Sequence, residues 1–293
     1  MGSFEANYPG KNAKVQILVQ PKLFSSLQIF NNLAMISSAH SKLIRSLRHK
    51  KYRDHHQLFL VEGEKMVQEM LESKGQSGFM VQEVFATGDW IEAHDRWIRG
   101  IDAGLNETTL PELKKVSNLV TPQPVLALVD IPETILEPGA LVEELVLGLE
   151  SVRDPGNLGT IVRTADWFGI RHILCTPDSV DLFNPKVVQA TMGSMARVKV
   201  YYEDPEVLLN ESSLKEKPVC GTSLQGENIY DTVLPEHPLV LFGNESKGLS
   251  SRLDPFMGTR LFIPSFAGGL PGSESLNLAS SVAVVCSEFR RRA

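Results

Sequence analysis

Cysteine is scarce in this chain, and each cysteine stands alone. Cys175, Cys220 and Cys286 sit in apolar stretches, with no Cys-x-x-Cys pair and no histidines at ligand spacing. That pattern argues against a zinc site or a disulfide framework and leaves three small buried hydrophobes. Long apolar runs are missing too, and none reaches the length of a membrane span. Neither common phosphate loop is present. No Gly-x-Gly-x-x-Gly follows a strand, and Gly268-Gly269-Leu270-Pro271-Gly272-Ser273 lacks the lysine that a nucleoside triphosphate site needs. A Rossmann dehydrogenase and a P-loop enzyme are thereby set aside. Glycines outside such loops can instead let main-chain amides and carbonyls approach a ligand closely.

The chain does have an uneven charge. Its formal net charge is −6, yet residues 1–60 hold nine Lys/Arg against Glu5 and Asp54, a balance of +7, so the remainder carries −13. Lys42, Arg45, Arg48, Lys50, Lys51 and Arg53 form the electrostatic footprint expected of a segment that contacts phosphates. The bland alternative is a solvated helix face. With 293 residues there is room for two cores, and Pro132, Pro138 and Gly139 mark a linker with a boundary near residue 135. Residues 1–36 fit neither half: three lysines, one acid, no arginine and no continuous signal-peptide core make a mediocre transit peptide.

Beyond the linker, apolar runs of strand length alternate with helical patterns. Leu145 to Leu149 reads as a strand ending at the turn formers Asp154-Pro155-Gly156-Asn157, with Asn157 as N-cap of a helix whose buried stripe is Ile161, Ala165 and Phe168. Arg163 falls off that stripe and is expected to point into the crevice beyond the strand end. His172 to Cys175 reads as a strand, Pro185 to Met195 as a helix, and Ala196 to Tyr202 and Pro218 to Thr222 as strands. Leu239 to Phe242 and Arg260 to Pro264 are further strands, and Leu276 to Arg290 is a closing helix. Such alternation predicts an α/β fold with a parallel sheet covered on both faces.

Three segments add chemistry to this frame: Asp154-Pro155-Gly156-Asn157-Leu158-Gly159-Thr160-Ile161-Val162-Arg163-Thr164-Ala165, then Phe242-Gly243-Asn244-Glu245-Ser246-Lys247-Gly248-Leu249-Ser250, then Ile263-Pro264 with Glu274-Ser275-Leu276-Asn277. In order and spacing, across roughly residues 145–290, they resemble the three motifs of the SpoU/TrmH family of RNA ribose 2'-O-methyltransferases, members of the SPOUT class. Earlier in the chain, Lys42-Leu43-Ile44-Arg45-Ser46-Leu47 and Phe59-Leu60-Val61-Glu62-Gly63-Glu64-Lys65 resemble the opening of the small substrate-binding domain of rRNA-modifying members. Thr121-Pro122-Gln123 and Val125 to Leu128 resemble its exit.

The resemblance implies a C-terminal SPOUT domain with a deep trefoil knot over 143–293, a small α/β RNA-binding domain over 37–130, a linker over 131–142, and an extension over 1–36. It implies S-adenosyl-L-methionine as cofactor, RNA as substrate, with rRNA favoured over tRNA, and a homodimer free of membranes. Arg163, Asn157, Glu245, Ser275 and Asn277 match the catalytic positions. Thr222, Ser223, Phe242, Gly243, Asn244, Gly248, Ile263, Pro264, Ser275, Leu276 and Asn277 match the cofactor loops. Lys42, Arg45, Arg48, Lys50, Lys51 and Arg53 are expected to contact RNA, and His55-His56 beside them to face water or RNA. An arginine stays protonated, so Arg163 is expected to anchor a phosphate or stabilise charge on the ribose oxygen, with Asn157 holding it or the sugar.

One departure stands out. Residues 265–273 lengthen the cofactor loop beyond the compact family pattern. The competing class is therefore a catalytically inactive relative that binds RNA as an assembly factor. Residence is expected in a mitochondrion or chloroplast for a eukaryotic source, and in the cytoplasm for a bacterial one.

Overall fold

The computed structural model describes residues 35–73, 78–99, 101–267 and 274–292. The expected extension thus lies outside the described residues as far as residue 34, as do residues 268–273 of the lengthened loop. Among the described residues no helix is long and apolar enough to cross a membrane.

Ser37 opens the first helix, α1 (Ser38–Ser46), by accepting the His40 amide on its side chain at 3.1 Å. There follow α2 (Lys50–His56), β1 (Leu58–Glu62), α3 (Glu64–Ser73), β2 (Val81–Thr87), α4 (Gly88–Ala93), α5 (Asp95–Ile98), β3 (Gly104–Thr108), α6 (Leu110–Val116) and β4 (Val125–Asp130). The strands form a four-stranded sheet in the order β1-β4-β2-β3, with only β2 and β3 parallel. Ile36 is already buried in its core with Ile44, Leu47 and Phe85, so ordered packing reaches two residues into the expected extension.

The second sheet is wholly parallel. It contains β5 (Val146–Leu149), β6 (His172–Cys175), β7 (Lys199–Tyr202), β8 (Val219–Asn228), β9 (Leu239–Phe242) and β10 (Thr259–Phe262), in the order β10-β8-β9-β5-β6-β7. Its helices are α7 (Pro155–Trp167), α8 (Pro185–Thr191), α9 (Pro205–Leu209) and α10 (Leu278–Arg292). All four residues of β5, β6 and β9 are buried, as a sheet covered on both faces requires. Cys175, Cys220 and Cys286 are free and buried, and burial pushes the Cys220 thiol up to about 11. The chain runs outward from β5 to β7 and then returns to the other side, placing a switch point between β5 and β9. Open α/β sheets bind ligands beyond the strand ends at such a point.

Two sequence readings need correction. The helix expected from Pro185 to Met195 ends at Thr191, where Met192 and Gly193 turn left-handed (φ 51° and 93°) before a 3-10 turn over Ser194–Ala196. A Cβ on Gly193 would stand 2.7 Å from Cγ of Glu69, so the break is where the first lobe presses on the second. Asn157 is not the cap of α7; Asp154 is, accepting the Asn157 amide at 2.8 Å with Pro155 at the first helical position.

The two sheets share one apolar core. Phe59 from β1 lies 5.6 Å from Phe79 and 4.9 Å from Phe183, centroid to centroid, and all three join the cluster under α7 and α8. Ion pairs fasten the same seam. Arg53 pairs with Asp181, and Arg197 holds Glu69 at 2.5 Å and Asp166 at 2.9 Å.

Candidate active site at the carboxyl end of the parallel sheet

Three chain segments converge at the switch point. The turn after β5 delivers the first turn of α7, β9 runs into the loop Gly243 to Gly248, and the segment after β10 returns at Ser275 to Asn277 to start α10. The β9 loop is tight. Asn244 and Gly248 exchange both main-chain hydrogen bonds, at 3.1 and 2.8 Å, and a Cβ on Gly243 would stand 2.1 Å from the Gly248 carbonyl carbon. Only glycine fits there.

Within this loop the Asn244 side chain accepts the Ser246 and Lys247 amides, at 3.0 and 3.3 Å, and donates to the Ser151 carbonyl at 3.0 Å. It therefore ties the β9 loop to the β5 turn. A second tie lies beneath it. Glu150 is 7 % exposed and accepts Ser250 Oγ and N at 2.6 and 2.8 Å, with Arg252 at 3.4 Å and Asp204 on the far side of that arginine.

On this scaffold Asn157, Glu245 and Asn277 form a hydrogen-bonded chain. Asn277 Nδ2 donates to Asn157 Oδ1 at 2.9 Å, and Asn157 Nδ2 donates to Glu245 Oε1 at 2.7 Å. Its polarity is set at both ends. A carboxylate only accepts, and Asn277 Oδ1 is already taken by the amides of Ala279 and Ser280 at 3.0 and 3.3 Å. One N–H of each asparagine and Oε2 of Glu245 have no partner among the described residues and are left for a ligand.

Arg163 is placed differently from the sequence reading. Six residues beyond Asn157 it is turned by about 120° around α7 and lies about 9 Å along the axis. Its side chain is exposed, without hydrogen bond or ion pair among the described residues, in an outward stripe with Gly156, Thr160 and Trp167. Asn157 bonds Glu245 and Asn277 and makes no bond to Arg163.

Of the cofactor positions, Thr222 and Ser223 stand within β8 rather than in a loop: Thr222 donates to the Leu241 carbonyl at 3.0 Å, tying β8 to β9, and Ser223 accepts the Gln225 amide at 3.1 Å within β8 itself. Phe242 is buried in the core, so only its main chain can reach a ligand. Ile263 and Pro264 are half-buried, while Ser275 and Leu276 are exposed beside Asn277. The segments after β9 and β10 leave the carboxyl ends of their strands, and Ser275 to Asn277 lie beside Asn157; main chain and small polar groups of this kind suit a nucleoside read by backbone hydrogen bonds.

Comparison with known proteins finds matches for both lobes. Residues 144–287 match the SpoU rRNA Methylase family, and residues 39–127 match the MRM3-like substrate binding domain. A solved TrmH-family chain from Porphyromonas gingivalis is 39 % identical, covering 89 % of this chain and 100 % of its own, with a TM-score of 0.74. The chain belongs to the SpoU rRNA methylase family. It is thus an RNA ribose 2'-O-methyltransferase whose cofactor is S-adenosylmethionine. The AdoMet-bound rRNA methyltransferase of Sinorhizobium meliloti is 26 % identical, covering 87 % of this chain and 95 % of its own, with a TM-score of 0.74. The 23S rRNA (guanosine(2553)-2'-O)-methyltransferase RlmP of Bacillus subtilis is 28 % identical over 264 residues, 88 % of this chain and 100 % of that protein.

The basic run of this SpoU methylase splits in two. Lys42, Arg45, Arg48, Lys50 and Lys51 are exposed around α1 and α2. Arg53 is not part of that face. It is 3 % exposed, donates to the Leu47 and Arg48 carbonyls at 2.8 and 3.1 Å, and pairs with Asp181 across the seam. Glu150 and Asp154, which build the site, escaped the sequence reading. Asp-Pro ahead of a helical stripe is a cap signal that was available; a buried carboxylate at the end of an apolar strand has none.

Proposed function

We propose that the protein methylates a ribose 2'-hydroxyl of ribosomal RNA. The observation that carries this reading is the chain from Asn277 through Asn157 to Glu245, which joins all three motif segments and leaves a carboxylate oxygen and two amide N–H groups unspent. When bound, S-adenosylmethionine supplies an already activated methyl group, so the protein has to position a weakly acidic hydroxyl and stabilise its charge as it loses a proton. The N–H groups of Asn157 and Asn277 hold the ribose or the methionine end of the cofactor, with Ser275 beside them. Glu245 Oε2 accepts a hydrogen bond from a water that carries the proton away. The Arg163 guanidinium anchors a phosphate or the developing oxyanion.

Because Arg163 faces outward with Trp167, which is 84 % exposed, we place it at the cofactor of a second copy. The assembly is a homodimer paired through α7, and the catalytic domain carries a trefoil knot. Residues 37–130 bring RNA to the site through Lys42, Arg45, Arg48, Lys50 and Lys51. Support for rRNA over tRNA comes from the substrate-binding match and the rRNA-modifying relatives. For a eukaryotic source the proposed residence is a mitochondrion or chloroplast, to be read from a C-terminally tagged chain; for a bacterial source it is the cytoplasm.

The test is transfer of labelled methyl from S-adenosylmethionine to total rRNA and, in parallel, to total tRNA, followed by mapping of the 2'-O-methylated nucleotide. Labelling of rRNA at one site supports the reading. Labelling of tRNA alone overturns the substrate, and no labelling of either overturns the activity.

A further inference from the structure

Between the two lobes lies a crevice of about 300 Å³ whose lining includes none of Asn157, Arg163, Glu245, Ser275 and Asn277. Leu60, Glu62 and Asn118 line it from the substrate-binding lobe, and Lys186, Val188 and Gln189 line it from α8. Glu62 ends β1 and is 6 % exposed. It accepts Ser117 Oγ at 2.5 Å and the Asn118 amide at 2.9 and 3.2 Å, yet no lysine or arginine among the described residues pairs with it. A carboxylate has about four acceptor sites, so capacity remains. Beside it, Nδ2 of Asn118 is buried with no hydrogen-bond partner. A buried carboxylate without a cation and a buried orphan donor are both costly, and one ligand can satisfy both.

That ligand has to present adjacent N–H donors to Glu62, an acceptor to Asn118 and Lys186, and flat faces to Leu60 and Val188. Guanine does so: N1–H and the N2 amino group meet the carboxylate, and O6 meets the donors. Adenine has no ring N–H on that edge, cytosine pairs its amino group with an acceptor, and uracil sets one N–H between two carbonyls. Unpaired bases are read on this edge while stacked on apolar or planar side chains.

Resting on the RNA-methyltransferase reading above, we infer that this crevice is a guanine subsite for an unpaired nucleotide other than the one methylated. The separation follows from α8. Its Ala190 packs against Gly159 of α7, where a Cβ would stand 2.4 Å away, so α8 stands between the crevice and Asn157. The contacts from Ser117 and Asn118 also fasten the 117–119 turn to β1, and any test has to separate that role from recognition.

Full-length protein saturated with S-adenosylhomocysteine, which fills the cofactor site, is titrated calorimetrically with GMP, IMP, AMP and CMP. GMP is expected to bind, and IMP, lacking the N2 amino group, to bind about tenfold more weakly. AMP and CMP are expected to be weaker still. Glu62→Gln should abolish the preference for GMP over IMP. Because that change also touches the turn, Lys186→Glu on the exposed face of α8 is the second variant, expected to weaken GMP several-fold at an unchanged melting temperature. Equal binding of the four nucleotides, or GMP binding unchanged in Lys186→Glu, overturns the subsite. Methyl transfer to rRNA is measured on the same wild-type preparation: transfer without guanine preference sinks the subsite alone, and guanine preference without transfer sinks the proposed activity alone.

Discussion

Asn277 donates its side-chain amide to Oδ1 of Asn157 at 2.9 Å, joining residues 120 positions apart and tying the start of α10 to the first turn of α7. The opposite end of the Asn277 amide caps α10. Asn277→Asp keeps a capping oxygen but sets acceptor against acceptor at Asn157. It is expected to melt near wild type and to lose methyl transfer at least about tenfold, the loss of one well-placed hydrogen bond. Asn277→Ala should in addition cost about 1 kcal/mol of stability through the cap. Wild-type turnover in the Asp variant would remove this chain from the mechanism.

Arg163 offers the cleanest separation of function from folding, because its side chain has no partner to lose among the described residues. Arg163→Ala should abolish methyl transfer while leaving the melting temperature and S-adenosylmethionine affinity unchanged. Arg163→Lys should restore little, since a lysine cannot make the bidentate contact. Turnover within a few-fold of wild type in Arg163→Ala contradicts the assignment.

Arg53 makes the reverse prediction. Its guanidinium is buried against Asp181, so Arg53→Ala leaves an unpaired carboxylate at the seam and should destabilise by about 3–5 kcal/mol in urea unfolding. The shared core has a further consequence for residues 136–293 expressed alone. Phe183 would lose Phe59 and Phe79, and the fragment is expected to bind an apolar dye and aggregate rather than behave as an independent domain. A soluble fragment with a cooperative thermal transition would show the lobes to be separable.

The exposed cations ask for a binding measurement. Neutralising Lys42, Lys50 and Lys51 together should weaken rRNA binding and reduce the salt slope by up to about 0.7 per lost single-strand phosphate contact. An unchanged affinity and slope across a salt series would reduce the run to a solvated helix face.

The carboxyl-terminal helix carries a pH signature. Hydrogen bonds from Arg291, and then Arg292, hold the Glu288 carboxyl at about 2, well below its ordinary 4.5. A depressed carboxylate contributes stability that is fully present above the unfolded value and is lost as pH falls through the folded one. Melting temperature should therefore fall between pH 4.5 and 2 more steeply in wild type than in Glu288→Gln. Arg292 also donates to the Ile229 carbonyl at 2.8 Å and the Tyr230 carbonyl at 2.6 Å, so the acid-induced loss should loosen residues 229–230 first, readable by hydrogen exchange.

Much of this was legible in the residues themselves. Leu239 to Phe242 read as a buried strand because four consecutive apolar residues of strand length need covering on both faces, and it is the strand beside the switch point. Resemblance to the family's motifs singled out Asn157, Glu245 and Asn277, and the structure joins these three in one hydrogen-bonded chain. The break at Met192 was not legible, since it answers to Glu69 from another lobe.

By itself, then, the sequence determined the alternation of strands and helices, the motif positions and the segregation of charge, all properties of short stretches of chain. Only the tertiary structure decided that Arg53 belongs to a buried seam while Lys50 and Lys51 face solvent, that Asn157 spends its amide on Glu245 and Asn277 rather than Arg163, and that Glu62 lines a crevice while pairing with no lysine or arginine among the described residues. The physical reason is the same in each case: a side chain's partner is set by which distant segment the packed core brings within about 3 Å, and a periodic pattern carries no information about partners 88, 120 or 128 residues away.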